Sequence, residues 1–168
     1  MDSRIIKAII GGIIGTAVMT MIMFVAPMMG MPKMSPPEML AGMMGMPVIV
    51  GWMMHFMIGV IFALAYVFVF AANIKINNLL LKGAVFGVAV FIFAQIMMAI
   101  MGMMFPMSKS EGSMILMMVG SLMGHIIFGM ATAFAVGVLP IASRKFGGLD
   151  LCKFQRANTK FVRLTIFS

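Results

Sequence analysis

Four apolar runs, at about Ile5 to Met29, Val48 to Ala72, Leu79 to Met104 and Met114 to Leu139, each exceed the roughly 20 residues that carry a helix across a bilayer. None contains Asp, Glu or Arg, and the only charges inside them, Lys7 and Lys82, stand near their ends. Lipid obliges a spanning backbone to satisfy its own hydrogen bonds, and runs this long exceed a barrel strand of about 9–11 residues, so helices are expected. Hydrophobic residues make up 63% of the chain and the mean hydropathy is +1.15. A water-soluble fold has nowhere to hide that much apolar surface. The expected fold class is therefore all-α: a polytopic membrane protein with four transmembrane helices.

The N-terminal MDSRIIK and the run after it resemble a secretory signal, but that run is longer than the about 7–15 apolar residues of a signal, so it is expected to stay as the first helix. Orientation follows from the basic residues, which cytoplasmic loops retain. Arg4 and Lys7 flank the first helix, Lys75 and Lys82 the second connection, and Arg144, Lys145, Lys153, Arg156, Lys160 and Arg163 follow the fourth helix. Lys33 and Lys109 lie in the other two connections, where Glu38 and Glu111 balance them. Both termini are expected in the cytoplasm. Ten inner basic residues less Asp2 and Asp150 account for the whole net charge of +8, so the basic pI of 10.3 is a topology signal and nucleic acid is not an expected partner. Residues 1–142 form the membrane domain, and 143–168 a basic cytoplasmic tail that is either solvated or laid on anionic lipid.

The two halves of the membrane domain repeat one another. His55-x3-Gly59-x3-Ala63 in the second helix recurs as His125-x3-Gly129-x3-Ala133 in the fourth, and setting Lys7 on Lys82 aligns Gly12 with Gly87 and Thr20 with Gln95. This predicts two pseudo-symmetric parallel helical hairpins in one four-helix bundle. Gly11, Gly12, Gly15, Gly83, Gly87, Gly120, Gly124 and Gly129 are expected to permit close backbone approach. In the first outer connection, Ser35-Pro36-Pro37-Glu38 has capping-box spacing with proline at the first helical position, which predicts a short interfacial helix over Pro36 to Met44.

Methionine is distributed unevenly along this framework. Of 26 methionines, 24 fall between Met19 and Met57 or between Met97 and Met123, which the topology places at the outer side of the bilayer. Flexible packing is the ordinary role of methionine. Compositional drift, however, would have scattered it through the inner halves as well, and those hold only Met130.

Intramembrane ionisable groups are costly and mark candidate sites. Here they are His55 and His125, with Thr20 and Gln95 at comparable depth. Three uses are open. The four can form a polar network that fixes helix register. The imidazoles, with Met53, Met57 and Met123 beside them in sequence, can hold a soft metal such as Cu(I). The same histidines can also ligate a haem iron axially. Trp52 is expected as an outer interface anchor, and Tyr66 as an inner packing or anchoring residue. Cys152, the one cysteine, excludes an intrachain disulfide, and no phosphate loop, dinucleotide fingerprint or nucleophile elbow is present.

Three segments, TAVMTMIMFVAPMMGMPKM at Thr16 to Met34, GWMMHFMIGVIFALAY at Gly51 to Tyr66 and GSLMGHIIFGMATA at Gly120 to Ala133, resemble a family of small four-helix bacterial inner-membrane proteins catalogued as a domain of unknown function. The resemblance covers about Ile5 to Leu139. It implies a bacterial membrane location and four helices, and no activity. The combined expectation is a non-enzymatic multi-pass protein of the inner membrane that binds or passes a soft metal at a Met/His-rich outer half. The alternatives are a structural or partner-binding subunit, in which a second copy or another membrane protein meets the methionines, and a haem-bearing electron-transfer subunit.

Overall fold

The computed structural model of the chain describes residues 3–33, 35–104 and 113–139. Every regular element among them is helical. α1 (Ser3–Val25) runs on through a 3-10 turn at Ala26–Met29, and α2 is the short Pro36–Met44. α3 (Val48–Ala65) continues through a π-helical turn at Tyr66–Phe70 into α4 (Ala71–Asn73), and α5 (Leu79–Met104) and α6 (Met114–Val138) complete the chain. Joined end to end they make four segments, Ser3–Met29, Val48–Asn73, Leu79–Met104 and Met114–Val138, each long and apolar enough to cross a membrane. The fold is all-α and polytopic, with bounds within two residues of those read from hydropathy. The basic tail, Cys152 and the connection around Lys109 and Glu111 lie outside the described residues.

α1 is the most buried of the four spans. Its small residues face two ways. A Cβ on Gly12 would stand 2.7 Å from the Val60 Cα of α3, and one on Gly11 would stand 2.7 Å from a Val136 methyl of α6. α5 and α6 approach as closely, since a Cβ on Gly83 would lie 2.6 Å from the Gly129 carbonyl oxygen and 2.8 Å from the Met130 Cα. Without a hydrophobic drive between helices in lipid, such backbone contact is what holds them. α3 and α5 meet otherwise. Phe62 stands edge-on to Phe93 at 5.7 Å, and Phe86 sits 5.0 Å from Tyr66 and 5.1 Å from Phe70. Three seams are thus lined by glycine and the fourth by rings.

Gly12 meets the Gly59 carbonyl, Val60 and Ala63, and Gly83 meets the Gly129 carbonyl, Met130 and Ala133. Gly87, which the sequence set against Gly12, meets the His125 carbonyl and Ile126 instead. The seam between α1 and α6 is lined by glycine, whereas α3 and α5 meet through rings.

At the basic end, the Lys82 ammonium donates to the Ala71 carbonyl at 3.0 Å and so holds the last turn of the α3–α4 rod, where cations complement the helix dipole. The Asn78 side-chain oxygen accepts from the Leu80 and Leu81 amides at 3.0 and 3.2 Å and starts α5. At the Met-rich end α2 forms over the expected residues and packs on α3 where Gly51 meets the Pro37 carbonyl and Ala41. Ser35 makes no side-chain cap there. Pro37 has removed one of the two amides, those of the second and third helical residues, that such a cap would serve.

Candidate functional site

Both histidines point into the bundle from the half that carries the methionines. His55 lies on the stripe of α3 that faces α1, one turn from Gly59, and only 9% of its surface is exposed. Its Nε2 is 3.2 Å from the Thr20 hydroxyl, and that hydroxyl is 2.7 Å from the Thr16 carbonyl. The carbonyl can only accept, so the single Thr20 proton goes to Thr16 and the Thr20 oxygen accepts from Nε2–H. The network therefore assigns the lone pair of His55 to Nδ1, and no hydrogen bond among the described residues occupies it.

His125 is half-buried on α6 and has the opposite tautomer. Its Nδ1 lies 2.7 Å from the Ser121 carbonyl, one turn earlier on the same helix, and so carries the proton. The lone pair sits on Nε2, again without a hydrogen bond among the described residues. The ring stands edge-on to Phe91 of α5 at 5.9 Å. Among the described residues no hydrogen bond or ring contact joins the two imidazoles.

Thr20 and His55 are brought together as expected, whereas Gln95 is not part of the network. It is half-buried on α5 and makes no hydrogen bond among the described residues. The three methionines expected beside the histidines are also misplaced. Met53, Met57 and Met123 are 69%, 56% and 48% exposed on the outside of the bundle. Each is two residues from its histidine, about 200° around a helix, so neighbours in sequence face opposite ways. Of the buried methionines, Met19 and Met23 of α1 lay their terminal methyl groups against Gly124, the residue before His125, while Met43 is buried in α2. α1 thus presents a hydroxyl to one histidine and two sulfurs toward the helix of the other.

Two groups escaped the sequence reading. The hydroxyl oxygens of Thr16 and Thr132 are fully buried without a hydrogen-bond partner, and each occupies the place a Cβ would take on a glycine opposite, Gly59 and Gly15 respectively. The same geometry on two seams is that of a Cα–H···O contact across a close helix pair. Its trace in the sequence is the position of Thr16, one turn before Thr20. No group of three or more His, Cys, Asp or Glu gathers among the described residues.

Residues 3–145 match a family of unknown function, DUF6789. The match spans most of the chain, and the chain belongs to that family. No curated protein and no solved structure matches it.

Proposed function

We propose that this member of a family of unknown function is a non-enzymatic protein of the bacterial inner membrane, with both termini cytoplasmic, that binds or passes a soft metal ion, Cu(I) foremost, in its Met-rich outer half. The observation that supports this is the state of the two rings. Each imidazole has one nitrogen held by a hydrogen bond, His55 through Thr20 and His125 through the Ser121 carbonyl, and its other nitrogen carries a lone pair that no hydrogen bond among the described residues uses. Metal-binding histidines are oriented in this way by a partner on the second nitrogen. The buried sulfurs of Met19 and Met23 on the intervening helix supply ligands of the softness Cu(I) selects, and imidazole suits copper as well.

Elemental analysis of detergent-purified protein from cells grown with added copper and iron tests this, with the His55→Ala/His125→Ala variant beside it. Stoichiometric copper that disappears in a variant of unchanged helicity supports the site. Iron with haem absorbance replaces it with the electron-transfer alternative, and protein free of metal from copper-fed cells sinks it.

A structural or partner-binding role has its own support in the outward-facing Met53, Met57, Met97, Met103, Met104 and Met123. Flexible thioether side chains repack against varied apolar surfaces, whether a second copy or another membrane helix. Mass measurement of the detergent-solubilised protein distinguishes a monomer from such an assembly.

A further inference from the structure

Three of the four spans end in methionine at the same end of the bundle. Met28 and Met29 close the first span, Met103 and Met104 close the third, and Met114 opens the fourth. The spans run 25 to 27 residues, about 38–40 Å at 1.5 Å per residue, against about 30 Å of hydrocarbon, so these terminal residues stand at the headgroups or beyond them. Their side chains are between 72% and 88% exposed. At that depth a membrane helix ordinarily carries Trp, Tyr, Lys or Arg as its anchor. What methionine brings that leucine would not is sulfur, and the metal reading, which uses Met19 and Met23, gives these five sulfurs no task.

The rim and the buried pair differ in what an added oxygen does. Oxidation turns methionine into a sulfoxide, a polar group that disrupts packed apolar contacts. On the rim that oxygen stays among headgroups or in water. Met19 and Met23 are buried, and a Cβ on Gly124 would already stand 2.8 Å from the Met23 methyl and 3.4 Å from the Met19 methyl, so an oxygen on either sulfur is forced into a packed seam. Met29 follows Met23 by six residues on the same span, about 9 Å further out. We propose that the five rim methionines are a sacrificial oxidation site, which takes up two-electron oxidants of the hypohalous acid class before they reach Met19 and Met23. Each event transfers one oxygen atom. The thioether and HOCl give the sulfoxide, chloride and a proton, and the sulfur loses the two electrons that chlorine gains. Sulfoxide reductases reverse the change, so such a rim can be used again. The inference requires only that this end meets water, and it stands whether or not the buried pair holds a metal.

The test is peptide mass spectrometry of the full chain in lipid nanodiscs after hypochlorous acid is added at one equivalent per rim thioether, with circular dichroism alongside. Sulfoxide is expected at Met28, Met29, Met103, Met104 and Met114 at about ten times its level at Met19 and Met23, with helicity unchanged. The variant Met28→Leu/Met29→Leu/Met103→Leu/Met104→Leu/Met114→Leu conserves volume at exposed positions and should match the wild type in helicity before treatment. At the same dose its Met19 and Met23 should be oxidised several times more than in the wild type, and helicity should fall. Equal oxidation of rim and buried pair in the wild type overturns the proposal, as does a rim left unoxidised because a partner or second copy covers it. Oxidation of Met19 and Met23 to the same extent in wild type and variant also overturns it, since the rim is then exposed without shielding anything.

Discussion

The Thr20 hydroxyl of α1 and the His55 imidazole of α3 are joined at 3.2 Å across a seam where the backbones are already in contact. Because Thr20 spends its proton on the Thr16 carbonyl 2.7 Å away, it can serve His55 only as an acceptor, and this one bond sets both the height of α3 against α1 and the tautomer of the ring. Thr20→Val keeps the shape and removes the acceptor. It is expected to cost about 1 kcal/mol, the usual worth of an interhelical hydrogen bond in a membrane protein. Unfolding in SDS with His55→Phe and the double variant checks this, since the double variant should lose little more than either single one. Additive losses would show that the two side chains act independently.

The glycine seams should be far less forgiving. A methyl on Gly59 would collide with Thr16, and one on Gly87 with the His125 carbonyl. Gly59→Ala and Gly87→Ala are each expected to lose at least about 2 kcal/mol, because the Thr16 side chain is itself fully buried and the His125 backbone cannot yield. Gly42 in α2 has nothing within 4 Å of an added Cβ, so Gly42→Ala should be neutral or should stabilise by up to about 1 kcal/mol through helix propensity. Thermal melts of the three variants in one detergent decide it.

Copper binding, if carried by the histidines, should follow the buried sulfurs and ignore the exposed ones. Met53→Leu/Met57→Leu/Met123→Leu is expected to retain the wild-type metal content, whereas Met19→Leu/Met23→Leu, which conserves volume, should lose most of it. X-ray absorption at the copper edge provides the check, since sulfur scattering should vanish only in the second variant. Loss confined to the first would return the site to the outer surface.

Lys82→Met should loosen the basic end. It removes the hydrogen bond to the Ala71 carbonyl while keeping the aliphatic stem, and bonds to a charged group are worth about 1.5–3 kcal/mol. Lys75→Met, at an exposed position in the connection, serves as the control and should change little. Hydrogen exchange of the Asn73 and Ile74 amides reads the effect locally, and unchanged protection there would mean that Lys82 does not hold that turn.

What the sequence made legible was whatever hydropathy and small residues determine: four spans, the short helix after Ser35, and glycines at helix contacts. Lipid leaves the backbone so little choice that apolar length and small residues nearly suffice for these. The direction of a side chain around a helix was not legible in the same way. Met53 and His55 are neighbours in the chain and face opposite ways, while Met19 and Gly124, a hundred residues apart, meet. In a soluble helix polar residues mark the outward face, but here both faces are apolar and the mark is missing. The π turn at Tyr66–Phe70 was equally hidden, since nothing in an aromatic run of YVFVF announces a change in hydrogen-bond step.

For anyone redesigning this bundle, the unequal seams amount to a map of where change can be absorbed. Along α1 and α6 even one added carbon has nowhere to go, so those faces admit almost no alphabet beyond the residues they hold. Between α3 and α5 the spacing is set by Phe62, Phe93, Phe86, Tyr66 and Phe70, and rings can trade places or sizes as long as their combined volume is kept. A new pocket, a probe or an unnatural side chain is best introduced there, on the one side where the helices are spaced by side chains and not by their own backbones.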